Sequence, residues 1–275
     1  MGILGGPTES VSEAAAAGTG MKLRPGIELG NLTDVGCHRS HNEDYYCYAE
    51  PVSNEEFSRK GRLIVIADGM GGHKGGQFAS AIAVESVRAA YLDSDADSSE
   101  AALAEALQAA HQAIQEFARE HPELAGMGTT CIAVVVRGSQ LTYAHIGDSR
   151  LYLVRNAAIT QLTQDQTVVN QLVQQGLLKP EEAADHPDRG VLTAALGIGA
   201  GVAAEVPEAP VTLEPEDILL MCTDGLHDLV SDQELAAAAT ANPPAAACRA
   251  LVDLAKSRGG FDNITVQILK FEGTG

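Results

Sequence analysis

The chain has 275 residues, of which 45% are hydrophobic, so it is long enough for one or two domains with a sizeable buried core. It carries 37 acidic and 18 basic residues, which gives a formal net charge of −19. This excess of carboxylates disfavours nucleic-acid and membrane partners, because both require a basic surface, whereas it is compatible with a site for hard cations.

The first 26 residues are small, polar and aperiodic, which predicts a flexible N-terminal tail ahead of one folded domain at 27–273. The tail has no basic start followed by an apolar segment, so it does not resemble a signal peptide. No run of about 18 apolar residues occurs in the chain. The five cysteines have neither zinc nor redox spacing, which favours free thiols in a reducing compartment. We therefore expect a cytoplasmic protein.

Apolar runs and helical stripes alternate along the domain. Short, almost wholly apolar runs predict buried strands, which in chain order lie at 63–66, 131–136, 141–146, 151–154, 218–222 and 264–271. Apolar residues spaced three or four apart predict helices at 76–92 and 100–118.

Two further helices are predicted near the C-terminus. Ser231 and Glu234 have the spacing of a capping box, which marks the start of a helix. The prolines at 243–244 interrupt that helix and can begin the next one, which ends at the glycines at 259–260. Residues 160–197, by contrast, contain no good strand, so they predict a long insertion of the kind that is often functional.

Aspartates stand where several predicted strands end or begin. Asp68, Asp148 and Asp224 follow apolar runs, and Asp262 precedes the last one. Strand ends are rigid places for ligands, and converging carboxylates without paired histidines suit Mg²⁺ or Mn²⁺ better than zinc. Each aspartate alone could simply cap a turn. The set as a whole predicts a metal centre.

Three other motifs are weaker. Cys131 and Arg137 have the Cys-x5-Arg spacing of cysteine phosphatases, but the residues between them predict a strand, whose amides are used in a sheet. Residues 69–76 are rich in glycine but lack the Gly-Lys-Ser/Thr ending of a nucleotide-binding loop. The histidines form no i, i+4 pair on a predicted helix, which disfavours a zinc hydrolase.

Six short motifs occur in the order found in the PPM family of metal-dependent protein serine/threonine phosphatases, also called type 2C. The motifs are Thr-Asp-Val-Gly at 33–36 with Arg39 and Asn-Glu-Asp at 42–44, Ala-Asp-Gly-Met-Gly-Gly-His at 67–73, Gly-Thr-Thr at 128–130, Gly-Asp-Ser-Arg at 147–150, Thr-Asp-Gly-Leu-His-Asp at 223–228 and Asp-Asn-Ile-Thr-Val at 262–266. The chain thus resembles this family, and its bacterial branch in particular, along nearly all of residues 27–271. The resemblance implies an α+β fold, a four-layer α-β-β-α sandwich of two antiparallel sheets flanked by helices, with a flap at about 160–197.

The resemblance also implies roles for individual residues. Two Mn²⁺ or Mg²⁺ ions, with a third and weaker ion in some bacterial members, would be held by oxygen ligands from Glu43, Asp44, Asp68, Gly69, Asp148, Asp224, Asp228 and Asp262. Within this set Asp68 would bridge two ions, whereas Asp148 and Asp228 match the third position. Arg39 would bind the phosphate as a catalytic and substrate-binding residue, and Arg189 of the flap would contact the substrate.

The chain departs from the family pattern at three places. Met70 stands where eukaryotic members have the histidine that acts as general acid, and His73 is the nearest substitute, so we assign the catalytic acid to His73. In the flap, Gln-Thr at 166–167 replaces the His-Ser that often follows the aspartate, and Ala194 stands where members often carry an arginine. These changes affect substrate contacts of the flap rather than the metal ligands.

The implied activity is the hydrolysis of phosphoserine and phosphothreonine in proteins by a metal-activated water. The expected partners are phosphoproteins, either the targets of a bacterial serine/threonine kinase or the kinase itself, and the expected state is a monomer. Two alternatives stay open. Met70 and the altered flap favour a catalytically weak phosphatase fold that works as a regulatory binding module. A phosphatase for a small phosphoester is the other alternative.

Overall fold

The computed structural model describes residues 23–71, 75–183 and 186–273, and within them two antiparallel β-sheets pack face to face. The strands are, in chain order, β1 (Ile27–Asp34), β2 (Asp44–Ala49), β3 (Arg62–Met70), β4 (Gly128–Thr129), β5 (Cys131–Arg137), β6 (Gln140–Ile146), β7 (Arg150–Arg155), β8 (Ala158–Gln161), β9 (Val211–Thr212), β10 (Ile218–Cys222) and β11 (Ile264–Phe271). One sheet has the order β1-β11-β10-β7-β8 and the other β2-β3-β5-β6-β9, with β4 paired to the end of β3.

Helices connect many of the strands, and four of them cover the outer faces of the two sheets. The helices are, in chain order, α1 (Asn54–Lys60), α2 (Gly75–Asp93), α3 (Ser99–Glu120), α4 (Val168–Gln174), α5 (Pro180–Ala183), α6 (Asp224–His227), α7 (Asp232–Ala241) and α8 (Pro244–Ser257). Helices α2 and α3 pack on the sheet that contains β3, and α7 and α8 pack on the sheet that contains β11. The predicted α+β fold, a four-layer α-β-β-α sandwich, is therefore confirmed. Among the described residues, no helix is long and apolar enough to cross a membrane.

Burial on both faces explains why the central strands read as unbroken apolar runs. In β3, Leu63 and Val65 pack under α2 and α3, whereas Ile64 and Ile66 point into the layer between the two sheets. Successive side chains of a strand point to opposite faces, so a strand covered on both sides needs apolar residues at every position.

The six predicted strands and four predicted helices are all present, with ends shifted by a few residues. The capping box of α7 also forms, with the Glu234 carboxylate accepting from the N–H of Ser231 at 3.0 Å. The sequence patterns do not predict β1 and β2, because buried positions in these strands alternate irregularly with half-buried ones, and in β1 also with exposed ones, and both strands include polar side chains.

The two ends of the predicted domain and its insertion can be placed only in part. Residues 1–22 of the predicted tail lie outside the described residues. Its last residues contact the domain, because Arg62 donates to the carbonyls of Arg24 and Pro25, and the N–H of Glu272 donates to the carbonyl of Gly26. The described part of the insertion at 160–197 begins in β8 and contains α4 and α5.

All five cysteines are free thiols, as predicted. Burial raises the pKa of Cys47 and of Cys248 to about 12, so both stay protonated and unreactive at neutral pH. Cys131 lies in β5, whose backbone pairs with β3 and β6 along its length. The Cys-x5-Arg spacing therefore does not form a phosphate-binding loop.

Candidate metal centre

Acidic residues gather at one edge of the sandwich, where strands of both sheets begin or end. Asp44 opens β2 and lies opposite Asp68 of β3 in the strand register. Asp224 follows β10, Asp262 precedes β11, and Asp148 lies between β6 and β7. Neighbouring antiparallel strands run in opposite directions, so the end of one lies beside the start of the next. The fold thereby brings carboxylates from five separate segments close enough to repel one another.

Threonine hydroxyls orient Asp44. Its Oδ2 accepts hydrogen bonds from the hydroxyls of Thr223 (2.9 Å) and Thr265 (2.6 Å), whereas its Oδ1 is buried without a hydrogen-bond partner. Burial raises the pKa of Asp44 to about 7 in spite of these two bonds. One carboxylate oxygen is thus held in place, and the other remains available to a cation.

Backbone contacts with β4 and the residue after it fix the position of Asp68. Its N–H donates to Oγ1 of Thr130 (3.0 Å), and its carbonyl accepts from the hydroxyl of Thr129 (2.7 Å) and the N–H of Thr130 (2.9 Å). Burial, together with the charges of Asp44 and Asp224, raises the pKa of Asp68 well above its usual range. Asp68 is therefore held where its charged form is disfavoured unless a cation is present.

Two further aspartates show the same shift. Burial and then the charge of Asp224 raise the pKa of Asp148 to about 8. Burial and the charges of Asp262 and Asp228 raise the pKa of Asp224 to about 6, and its Oδ1 is buried without a hydrogen-bond partner. A divalent cation among these groups would remove their repulsion, and an all-oxygen donor set suits Mn²⁺ or Mg²⁺. The residues present therefore fit the predicted metal.

Glu43 and Gly69 lie close together at the start of α2. A Cβ on Gly69 would come within 2.0 Å of the carbonyl oxygen of Gly76 and 2.7 Å of that of Glu43, so only glycine fits there. The Glu43 carboxylate accepts from the N–H of Gln77 in the first turn of α2, and burial raises its pKa. Glu43 and Gly69 therefore lie beside the aspartate cluster, where the first turn of α2 begins.

Arg39 pairs with Asp262 at the rim of the cluster. Its Nη2 donates to Oδ2 of Asp262 at 2.6 Å, and half of the Arg39 side chain remains exposed. Among the described residues, no three acidic, histidine or cysteine side chains already form a closed coordination site. The outer carboxylates pair with arginines instead, and a cation would compete with Arg39 for the Asp262 carboxylate.

The flap reaches the cluster through Arg189. Its Nη1 donates to Oδ2 of Asp228 at 2.7 Å, so the predicted substrate-contacting arginine binds a residue of the predicted third ion position. A cavity of about 610 Å³ lies here, lined on one side by Asp148, Asp224 and Asp228 and on the other by the flap. The cavity is large enough for a phosphorylated side chain beside the aspartates.

A half-buried ion pair fastens the flap to the sheet. Arg150 of β7 donates to both carboxylate oxygens of Asp165 at 2.6–3.1 Å, and the carbonyl of Asp165 accepts from Asn170 of α4. At the far end of the flap, the backbones of Leu196 and Thr129 exchange hydrogen bonds. The departures from the family pattern at 166–167 and Ala194 therefore leave the flap attached at both ends.

Asn263 is a site residue that the sequence reasoning did not single out. Its Oδ1 accepts from the N–H of Glu43 (2.8 Å), and its Nδ2 donates to the carbonyls of Val35 and His41 (3.0 Å each). Two such residues could have been found from their neighbours in the chain. Asn263 directly follows the predicted ligand Asp262, and Thr223 directly precedes the predicted ligand Asp224. The predicted acid His73 lies outside the described residues.

We expect Asn263→Asp to destabilise the metal-free protein by about 2 kcal/mol. The new carboxylate would still accept from Glu43, but the two buried donations would be lost and a charge would be added to the cluster. Urea unfolding of the metal-free protein measures this loss. Asn242→Asp serves as the control, because Asn242 makes one hydrogen bond at an exposed helix end. Equal losses in the two variants would contradict the role of Asn263.

We expect the stabilisation by Mn²⁺ to grow with pH. The pKa of Asp148 is raised from 3.8 to about 8, so without metal the folded state binds protons more tightly than the unfolded state. Metal-free protein therefore loses stability from these groups as the pH rises between those values. Near pH 8, Mn²⁺ at about a hundred times its Kd should raise the Tm by about 5–10 °C, and near pH 5 by much less. A Tm difference independent of pH would contradict this account.

Comparison with known proteins agrees with the site. The family described as protein phosphatase 2C matches residues 56–250. The chain is 37% identical over 248 residues to protein phosphatase PhpP of Streptococcus pneumoniae, covering 88% of this chain and 97% of PhpP. It is 38% identical over 238 residues to the serine/threonine protein phosphatase PstP of Mycobacterium tuberculosis, covering 86% of this chain and 43% of PstP.

A solved structure extends the likeness to the fold. The catalytic domain of PstP, crystallised in complex with two manganese ions, has a TM-score of 0.75 and 33% identity, covering 89% of this chain and 98% of that one. The resemblance found in the sequence motifs is confirmed by these matches. The chain belongs to the protein phosphatase 2C family of serine/threonine phosphatases.

Proposed function

We propose that this protein hydrolyses phosphoserine and phosphothreonine in other proteins with the help of two Mn²⁺ or Mg²⁺ ions. The observation that carries the proposal is the group of buried aspartates whose pKa values are raised by burial and by one another. Bound cations would offset the burial and repulsion that disfavour the charged forms of these aspartates. The neighbouring Arg39 provides a partner for phosphate at the rim of the same group.

The ions would be held by carboxylate and carbonyl oxygens on both sheets. We assign the two main positions to Glu43, Asp44, Asp68, the carbonyl of Gly69, Asp224 and Asp262. A third position would use Asp148 and Asp228. When bound, the ions supply Lewis acidity that activates a water and neutralises phosphate oxygens.

The other site residues bind and orient the substrate. The planar guanidinium of Arg39 matches two phosphate oxygens, and its exposed side chain can turn from Asp262 towards a bound phosphate. Thr223 and Thr265 keep Asp44 in one orientation. We assign to His73 the donation of a proton to the departing serine or threonine oxygen.

The partners follow from the substrate class. We propose that the protein acts as a monomer in the cytoplasm on the targets of a bacterial serine/threonine kinase, or on the kinase itself. The name of PstP as a serine/threonine protein phosphatase supports this substrate class.

Release of phosphate from a phosphothreonine peptide, with and without Mn²⁺, tests the proposal. We expect Mn²⁺-dependent release that EDTA abolishes and that is much weaker on the matching phosphotyrosine peptide. A small phosphoester serves as a further arm, and faster hydrolysis of it than of any phosphopeptide would move the assignment to a metabolite phosphatase.

A regulatory binding module is the second candidate. It is favoured by Met70, which stands beside Asp68 and Gly69 in place of a proton-donating histidine, and by the pairing of Arg189 with Asp228. Binding of a phosphopeptide by folded, Mn²⁺-loaded protein without release of phosphate would establish that candidate and exclude the enzyme.

A further inference from the structure

An exposed aromatic pair stands at the rim of the metal centre. The ring of Phe261 is stacked on that of His38, with centroids 5.2 Å apart and planes 29° from parallel. Phe261 is 60% exposed and directly precedes Asp262, and His38 directly precedes Arg39. The pair therefore sits one residue away from the two groups that form the edge of the phosphate site.

The two loops that carry this pair are held together by their backbones. The N–H of Cys37 donates to the carbonyl of Gly260 at 2.7 Å, and Asn263 donates to the carbonyl of Val35. A Cβ on Gly259 would come within 2.5 Å of two ring carbons of Phe261, so the ring lies against the backbone of that glycine. With glycine below it and His38 beside it, the Phe261 ring is supported in an exposed position.

The position of the aromatic pair beside the phosphate site determines which part of a substrate can contact it. A phosphate bound at Arg39 and the aspartates is carried by one residue of the substrate. The Cα atoms of the residues before and after it in the substrate chain lie about 3.8 Å from its own Cα. The surface next to Arg39 and Asp262 is therefore within reach of those neighbours. His38 and Phe261 directly precede Arg39 and Asp262 in the chain, so the aromatic pair lies on that surface.

We propose that His38 and Phe261 form a docking platform for an apolar side chain next to the phosphorylated serine or threonine of the substrate. This inference rests on the proposed function and adds a sequence preference to it. An exposed aromatic face gains by being covered with apolar side chains.

The charges around the platform favour an apolar neighbour over a charged one. Three ion pairs lie in these loops and at the end of α8: Arg39 with Asp262, Lys256 with Asp34, and Arg258 with Glu234. A charged substrate side chain would have to compete with these pairs, whereas an apolar one only displaces water from the rings.

Two phosphothreonine peptides that differ only in the residues flanking the phosphothreonine test the platform. One carries leucine on both sides and the other serine, and kcat/KM is measured for each with Mn²⁺. For the unaltered protein we expect a ratio of about five to ten in favour of leucine, mainly through KM, because the platform covers part of one side chain. Phe261→Ser should reduce that ratio to about one.

Two more variants complete the test. His38→Ala removes the other half of the platform from a different loop and should also reduce the ratio. Val52→Ser is the matched control, because Val52 is a 95% exposed apolar residue in the loop after β2, at the opposite edge of the sheet. It should leave the ratio unchanged.

The outcomes separate this inference from the proposed function. If neither peptide is hydrolysed by the unaltered protein, the proposed function fails and the platform fails with it. If both are hydrolysed equally well, or if Phe261→Ser lowers both rates but keeps the ratio, the platform alone is wrong. A third peptide with arginine at the flanking positions should be hydrolysed no better than the serine peptide, and a preference for arginine would also overturn the platform.

Discussion

Replacing Asp68 by Asn is expected to lower kcat on a phosphothreonine peptide about 10³-fold and to weaken Mn²⁺ binding in the same samples. Metal ions supply several kcal/mol of transition-state stabilisation, and the charge of Asp68 is opposed by the charges of four other aspartates. The metal-free variant should be at least as stable as the unaltered protein, because a buried and repelled charge is removed. Calorimetric Mn²⁺ titration, turnover and urea unfolding measure the three effects.

Asp217→Asn is the matched control for that experiment. Asp217 is also a buried aspartate, but it lies at the opposite end of β10 from Asp224 and accepts two hydrogen bonds from Arg155. Removing its charge weakens the contact with Arg155, which keeps its ion pair with Glu214, so we expect a loss of about 2 kcal/mol in stability. Turnover per folded molecule should not change. An Asp68→Asn variant that kept full activity, or that lost stability as Asp217→Asn does, would contradict the metal-centre interpretation.

Replacing Arg39 by Ala is expected to lower kcat/KM about 10²-fold without weakening Mn²⁺ binding. Removing one hydrogen-bond donor that contacts the charged phosphate typically lowers the rate by about this factor. Arg39 and the cation share Asp262, so removal of the arginine frees that carboxylate and should make Mn²⁺ binding equal or tighter. A fall in kcat/KM together with equal or tighter Mn²⁺ binding distinguishes a phosphate-binding role of Arg39 from a supporting role in the metal centre.

Arg39→Lys tests the geometry of the same contact. Lysine keeps the charge but not the planar fork, so we expect activity between that of the unaltered protein and that of Arg39→Ala. Activity of Arg39→Lys equal to that of Arg39→Ala would indicate that two-oxygen contact is essential. Unchanged kcat/KM in Arg39→Ala would show that the arginine does not bind phosphate.

Most of the aspartate cluster was predictable because Asp68, Asp148, Asp224 and Asp262 lie next to strands that the sequence patterns predict. Asp44 is the exception, because it opens β2, which those patterns do not predict. Asp68 and Asp224 follow unbroken apolar runs, and both are followed by glycines whose Cβ positions are blocked by backbone atoms. These local signals depend only on neighbours in the chain. The order of the motifs then predicted the family and the sandwich fold.

The contacts that orient the ligands were not predictable in the same way. Asp44 is held by Thr223 and Thr265, which are separated from it by 179 and 221 residues along the chain. Asn263 connects three backbone groups over similar separations. Hydroxyl and amide side chains of this kind are common at turns, so only the folded arrangement shows which of them carry such contacts.

The pairing of arginines with outer carboxylates was also invisible in the sequence. Arg189 was expected at the substrate, but the structure pairs it with Asp228 at 2.7 Å. Both residues lie in loops whose approach depends on how the flap is anchored by Arg150 and Asp165. A charge pattern along the chain does not determine such a contact.

The central claim is that the buried aspartates hold the cations on which phosphate release depends. The most direct measurement follows Mn²⁺ occupancy and release of phosphate from a phosphothreonine peptide in one titration of EDTA-treated protein. We predict no release at zero occupancy, release that rises together with the filling of the site, and full loss on renewed addition of EDTA. Release by the metal-free protein, or a filled site without release, would contradict the account.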